Sequence, residues 1–310
     1  MSARDVEFGR LITAMVTPFD KQGEVDYRQA ARLARVLVEN GTESIVVSGT
    51  TGESPTLTTE EKLRLFQTVK EAVGGRAKVI GGTGNYSTRE SIELTHAAGE
   101  SIDGVLLVVP YYNNPPQEGL YRHFRTIAEH TSLPCILYNV PSRTVRNMEA
   151  ATTVRLAKDV PNIVGIKEAA ESLDQVAEIV GGVPPDFRVW SGNDGDTFPK
   201  LCLGAYGVVS VASHIVGRQI RQMLDLAAVG RLREAAQLHL RLLPLFRALF
   251  PPVAPVASPA AIKAALNLSG FEVGGLRLPM IELPEAAQTK LRELLARYEL
   301  DPLPAPATAA

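Results

Sequence analysis

Short apolar, β-branched runs recur along the chain: LITAMVT, SIVVSG, AKVIGG, GVLLVVP, CILYNV, IVGIKE, FRVWSG and GVVSV. Their apolar positions are consecutive rather than alternate, which is how a strand buried on both faces reads. Between them lie segments with helical period and helix-start signals. One is TTEEKLRLFQTVKEAV, where Thr58 and Glu61 have the spacing of a capping box. About eight such units in succession predict an α/β fold, a (β/α)8 TIM barrel over residues 1–229, rather than a doubly wound sheet, which usually has fewer strands. After Val229 the pattern changes. RLREAAQLHLRLLPLFRALF and PAAIKAALNLSG are helical with no strand between them, so residues 230–310 are expected to form a helical region closing on the barrel. The final DPLPAPATAA, rich in proline and alanine, is expected to fray.

A chain of 310 residues with 45% hydrophobic and 21% charged residues has enough apolar content for one large α/β core with an appendage. A formal net charge of −2 provides no electrostatic footprint for nucleic acid or an anionic membrane. The N-terminal stretch has no apolar signal region, and no segment approaches the roughly 18 apolar residues of a membrane span, so a cytoplasmic location is expected. Cys135 and Cys202 both sit in apolar runs and read as core thiols rather than as a disulfide or a metal site. His96, His123, His130, His214 and His239 show no paired metal-ligand spacing. GGTGNYS, at 81–87, lacks both the dinucleotide register and the phosphate-loop lysine, so neither a metal nor a nucleotide cofactor is expected.

In a barrel the active site lies at the C-terminal ends of the strands, where this chain places its polar residues. Thr50 and Thr51 follow the second strand, Tyr111 and Tyr112 the fourth, Tyr138 and Asn139 the fifth, Lys167 and Glu168 the sixth, and Ser191 to Asp194 the seventh. Lys167, in NIVGIKEAA, ends an otherwise apolar strand. Burial disfavours an ammonium and frees the neutral amine to attack a carbonyl; an ion pair with Glu168 is the other role open to it. Tyr138 is either a core tyrosine with a satisfied hydroxyl or a phenol passing protons beside an imine. The turn GTTGES offers hydroxyls and backbone N–H groups to a small carboxylate, with the positive end of the following helix in support. A 2-oxo acid fits both, its carboxylate in the turn and its carbonyl at Lys167.

GTTGES, YYNNPPQEGLYRHF, YNVPSRT, GIKEA and GAYGVVSV together resemble the 4-hydroxy-tetrahydrodipicolinate synthase (dihydrodipicolinate synthase) family of the pyruvate-dependent class I aldolases. The resemblance runs from about Gly9 to LRLP at 276–279. It implies a metal-free, cofactor-free lyase that condenses pyruvate with aspartate semialdehyde on the route to lysine. In that reading Lys167 forms the imine and Tyr138 donates and accepts protons, with Thr50 linking Tyr138 to Tyr112 in a relay. Thr51 holds the pyruvate carboxylate, Gly192 and Val209 belong to the same substrate site, and Arg143 neutralises the carboxylate of the second substrate. Tyr112 is implied to cross into a neighbouring subunit, giving tight dimers paired into a homotetramer.

The resemblance also maps an inhibitory lysine site onto Ser54, Pro55, Thr59, Lys62, Tyr86, Glu90 and Tyr111. Sensitive relatives resemble one another in carrying histidines at the positions of Thr59 and Lys62 and an asparagine at that of Tyr86. A resident ammonium at Lys62 opposes an incoming one, so weak or absent lysine inhibition is expected. The family's NPIPVK-like stretch is SPAAIK here, after PPVAPVA, and its loop is expected to pack differently at the barrel mouth. Two rivals remain: an aldolase or dehydratase acting on a sugar acid or on 4-hydroxy-2-oxoglutarate, for which Arg143 is the discriminator, and a catalytically silent binding barrel.

Overall fold

The computed structural model describes residues 3–250 and 258–304. The PPVAPVA stretch and the last six residues of the proline-rich tail, on which two expectations rest, lie outside the described residues.

Eight parallel strands close into a barrel in sequence order. They are β1 (Leu11–Ala14), β2 (Ser44–Val47), β3 (Lys78–Gly82), β4 (Gly104–Val108), β5 (Cys135–Asn139), β6 (Ile163–Glu168), β7 (Arg188–Ser191) and β8 (Gly207–Ser210). Each coincides with one of the apolar runs. Both faces are buried, as the consecutive apolar positions required. Leu11, Ile45, Val79, Val105, Leu137 and Val208 pack outward against the helices. Ile12, Val46, Ile80, Leu106, Ile136 and Val209 fill the barrel interior. Phe8 and Trp190 join that inner cluster, and the Trp190 indole Nε1 donates to the Gly9 carbonyl at 2.9 Å, tying the N-terminal approach to β7.

The helix Thr59–Val73 starts where its sequence signal lies. Thr58 Oγ1 accepts from the Glu61 amide at 3.2 Å and Glu61 Oε2 accepts from the Thr58 amide at 2.8 Å. This reciprocal cap stabilises a helix start by about 1 kcal/mol. After β8 come the helices Ser213–Ala228, Leu232–Leu249, Ala260–Leu268 and Glu285–Leu295. The first is kinked at Val216. Asp301, from the chain beyond the last helix, accepts there from the amides of Gly217 and Arg218, and its own amide donates to Ile215 O at 2.8 Å.

Candidate active site

Strand alternation decides which side chains enter the barrel, and β6 does not alternate regularly. Ile163 packs outward and Val164 inward, yet Ile166, two residues on from Val164, packs outward again. The cause is a register shift against β5: Cys135 pairs with Ile163 and Ile136 with Gly165, so Val164 is an extra residue absorbed by a bulge. Gly165 fits because a Cβ there would lie 2.5 Å from Trp190 Cζ3 and 2.4 Å from Arg188 O. From that point the pairs run Tyr138 to Lys167 and Asn139 to Glu168. The first pair faces the interior and the second faces the surrounding helices. The Lys167 ammonium lies 4.1 Å from the centre of the Tyr138 ring, and both residues are buried. No ion pair joins Lys167 to Glu168 among the described residues, and alternation accounts for this: adjacent side chains on a strand point to opposite faces.

Above this pair a cavity of about 240 Å³ is lined by Thr50, Ser54, Pro55, Tyr111, Tyr138 and Arg143, among others. Thr50 and Thr51 sit in a turn closed by backbone bonds from Glu53 N to Thr50 O (3.1 Å) and from Ser54 N to Gly49 O (3.2 Å). The amides of Thr50, Thr51 and Gly52 make no hydrogen bond among the described residues. The turn therefore leaves three N–H groups without a protein acceptor among the described residues, and its Gly49 and Thr50 line the cavity. The following helix contributes less than expected. It begins only at Thr59, after a short 3-10 turn over Ser54–Thr56, and its N-terminus is occupied by its own cap.

Arg143 is exposed and donates from Nη2 to the Ser258 carbonyl at 3.2 Å. The first residue of SPAAIK thus meets the barrel mouth at Arg143, the one arginine lining the cavity among the described residues. Val209 is buried at the interior end of β8. Gly192 follows β7 with its amide bonded to Glu168 O at 2.8 Å, where a Cβ would come within 2.4 Å of Ala169 Cβ. Tyr112 stands apart: it is 98% exposed and has φ +73°. No hydrogen bond joins it, Thr50 and Tyr138 among the described residues.

Behind the inward pair lies a buried polar network that sequence reasoning missed. The Glu168 carboxylate accepts from Asn139 Nδ2 (3.0 and 3.1 Å), the Ala170 amide (2.7 Å) and Gln175 Nε2 (3.1 Å). Asn139 Oδ1 accepts from the Met148 amide at 2.9 Å and its Nδ2 donates to Asn147 Oδ1 at 2.8 Å. Burial pushes the Glu168 carboxyl above its ordinary value, against the pull of the Ala170, Asn139 and Gln175 donors. Lys200, fully buried and paired with Asp196 at 2.9 Å, donates to the main-chain carbonyls of Glu168 and Ala170. The network brackets Tyr138, Lys167 and the far end of the Arg143 turn. The available signal was the YN and KE dipeptides, since a polar residue after an inward strand-end residue points outward into the helix layer.

Ser54, Tyr86, Glu90, Tyr111 and Lys62 gather beside the cavity. Tyr86 and Tyr111 stack edge to face at 5.1 Å. Burial pulls the Lys62 ammonium below its ordinary value, with the nearby Glu90 acting in the opposite sense. The Tyr111 phenol is raised, by burial first and then by Tyr86 and Glu90. Ser54 and Pro55 line the cavity itself, whereas Thr59 opens the helix behind it. One expectation is corrected: Cys135 is buried, but Cys202 is exposed, because it ends the short helix Thr197–Cys202 on the outer layer. His123 and His214 are buried and pulled down to about 4 by burial, so both are neutral core residues near pH 7.

The chain matches the dihydrodipicolinate synthetase family over residues 7–298. It is 58% identical to the 4-hydroxy-tetrahydrodipicolinate synthase of Symbiobacterium thermophilum over 290 residues, covering 93% of this chain and 97% of the relative. It is 58% identical to that of Dehalococcoides mccartyi over 296 residues, covering 95% and 98%. Among solved structures it is similar to the enzyme from Cyanidioschyzon merolae with lysine bound, with a TM-score of 0.90, 48% identity and coverage of 93% and 97%.

Proposed function

The chain belongs to the dihydrodipicolinate synthetase family, and from that premise we propose how its residues perform the reaction of a 4-hydroxy-tetrahydrodipicolinate synthase. The activity is that of a lyase of lysine and diaminopimelate biosynthesis joining pyruvate to L-aspartate 4-semialdehyde. The observation that carries the residue roles is the Lys167 amine 4.1 Å from the Tyr138 ring, inside a barrel mouth that also holds Thr50 and Arg143.

The neutral Lys167 amine attacks C2 of pyruvate and water leaves, forming an imine. Loss of a methyl proton gives an enamine, with the protonated imine as the electron sink. Tyr138 carries protons to and from these centres. Thr51 and the free amides of its turn hold the pyruvate carboxylate, beside Gly192 and Val209. The enamine carbon attacks the semialdehyde, whose carboxylate is neutralised by Arg143. The amine of that substrate then displaces Lys167 as the ring closes, returning the enzyme amine without a hydrolytic step.

Tyr112 completes the relay through Thr50 from a neighbouring subunit. In support, a large side chain is held almost fully in solvent on a left-handed backbone that costs about 1 kcal/mol or more for a non-glycine residue. A tight dimer, paired into a homotetramer, follows, and the enzyme works in the cytoplasm. Lysine at the Lys62–Glu90 cluster is opposed by the resident ammonium.

The test is intact mass after pyruvate and borohydride, with peptide mapping and a parallel semialdehyde assay. An adduct on Lys167 with rapid semialdehyde consumption is expected. An adduct without consumption would redirect the search to other aldehydes, and no adduct would remove the mechanism.

A further inference from the structure

Glu53, the acidic residue of GTTGES, turns away from the cavity into the C-terminal helices. It adopts a left-handed backbone conformation, φ +57°, and is almost wholly buried. Its Oε1 lies 2.7 Å from the Lys263 ammonium, an ion pair whose two side chains are each 1% exposed. The Lys263 ammonium, with three hydrogens to give, also donates to the Gly275 carbonyl at 2.6 Å. Glu53 Oε2 accepts from the Arg277 amide at 3.0 Å. Arg277 in turn grips Glu61 with both terminal nitrogens and reaches the carbonyls of Thr56 and Gly23. The Phe19 ring lies under both cations, 4.1 Å from Lys263 and 4.7 Å from Arg277.

A buried ion pair is seldom more stabilising than apolar residues of the same volume, because desolvation offsets the Coulomb gain. Burial shows its cost here by pulling Lys263 down to about 8 despite the facing carboxylate. A strained backbone and two buried charges at one point are therefore poorly explained by stability alone. They are explained by position. On the same turn Thr50 lines the cavity, Thr51 is buried beside it, and Thr17 Oγ1 fastens the turn through the Gly52 carbonyl at 2.7 Å.

We propose that Glu53 is a positioning residue: through Lys263 of the helix Ala260–Leu268 and the Arg277 amide of the segment after it, it holds the Gly49–Ser54 turn in shape, making the C-terminal region part of the pyruvate carboxylate site. This rests on the assignment of that turn to pyruvate. Residues 260–277, remote in sequence from the barrel mouth, then set pyruvate affinity without touching pyruvate.

The experiment compares wild type with Glu53→Gln and Lys263→Met in steady-state kinetics, varying pyruvate and semialdehyde separately. Both variants are expected to raise the KM for pyruvate about tenfold while leaving the KM for semialdehyde within about twofold, the split produced by misplacing one binding element. A general loss of folded protein would lower kcat and leave both KM values alone. Should a single variant fail to fold, the double substitution Glu53→Gln with Lys263→Met removes both buried charges, and the same selective rise is expected from it. A pyruvate KM within twofold of wild type in the folded variants overturns the proposal. Absence of a pyruvate adduct in wild type would overturn the assignment of the turn instead.

Discussion

Glu168→Gln isolates the network behind the Lys167–Tyr138 pair. The carboxylate is fully buried and takes four contacts, two at each oxygen. Glutamine keeps its carbonyl oxygen at the Oε1 position, where Asn139 and Ala170 donate. Its amide nitrogen then faces Gln175 Nε2 and Asn139 Nδ2, donor against donor, at the 3.1 Å now spanned by a hydrogen bond to each. Gln175 Nε2 keeps Asn147 Oδ1 at 3.2 Å and the Met148 carbonyl at 3.4 Å as acceptors, and its Oε1 already accepts from Asn147 Nδ2 at 2.7 Å, so the donor left unmatched is the new amide nitrogen at position 168. A buried unmatched donor costs about 1–3 kcal/mol. Relief of the buried charge returns part of that, since burial already disfavours the carboxylate. A net loss of about 1–2 kcal/mol in unfolding free energy is expected. Glu168→Ala, which orphans the Ala170 amide and opens a cavity, is expected to lose about 3–5 kcal/mol. Because Asn139 and Glu168 directly follow Tyr138 and Lys167, turnover and the rate of borohydride-trappable adduct formation should both fall about tenfold in the glutamine variant. Denaturant unfolding beside single-turnover trapping measures both. Wild-type trapping rates in Glu168→Gln, or an alanine variant milder than the glutamine one, would refute the reasoning.

Arg143→Ala should raise the KM for semialdehyde about 10- to 100-fold while the pyruvate adduct still forms on Lys167, read by mass and steady-state kinetics; an equal effect on both substrates would remove its assignment to the second. Asp301, 6% exposed, has its carboxyl raised from 3.8 to about 6 by burial, against the Gly217 and Arg218 amides. The folded state therefore binds that proton more tightly: the stability it confers is full below pH 3.8 and is lost as pH rises through 6. Asp301→Asn should then match wild type near pH 4 and exceed it at pH 8 by about 1–2 kcal/mol after allowance for solvent screening, and thermal melts showing the variant weaker at pH 8 would contradict this. Lysine at submillimolar concentration should leave turnover nearly unchanged, because Lys62 already places an ammonium beside Glu90; strong inhibition would count against that reading.

The eight strands were legible because parallel strands buried on both sides must read as unbroken apolar runs, and the start at Thr58 because a capping box needs only four residues. Lys167 and Tyr138 stood out for a related reason: a polar residue ending such a run has the barrel mouth as its destination. Their facing was not legible. IVGIKE contains nothing that announces Val164 as surplus, since the bulge exists only relative to Cys135 and Ile136 on the neighbouring strand. Glu53 was hidden likewise, because its partners Lys263 and Arg277 arrive from the far end of the chain. Nor does composition reveal strain. The non-glycine residues with positive φ among those described are Ser48, Glu53, Tyr112, Asn114 and Val145, all in loops that follow strands at the mouth, and only the closed barrel imposes those conformations. Cys202 was misjudged because an apolar stretch at the end of a short outer helix resembles one in the core.

The bulge in β6 also means that the strand bearing the lysine has slack. Gly165 already pairs with Ile136 and every later partner is in step, so excising Val164 would leave Ile163 beside Cys135, Gly165 beside Ile136 and Lys167 beside Tyr138. Neighbouring β5 has no such spare residue: losing Leu137 would shift the parity of the tyrosine and the asparagine after it. A single-residue deletion scan should therefore find the lysine strand the more forgiving of the two, with borohydride trapping by pyruvate surviving the loss of Val164 and not of Leu137.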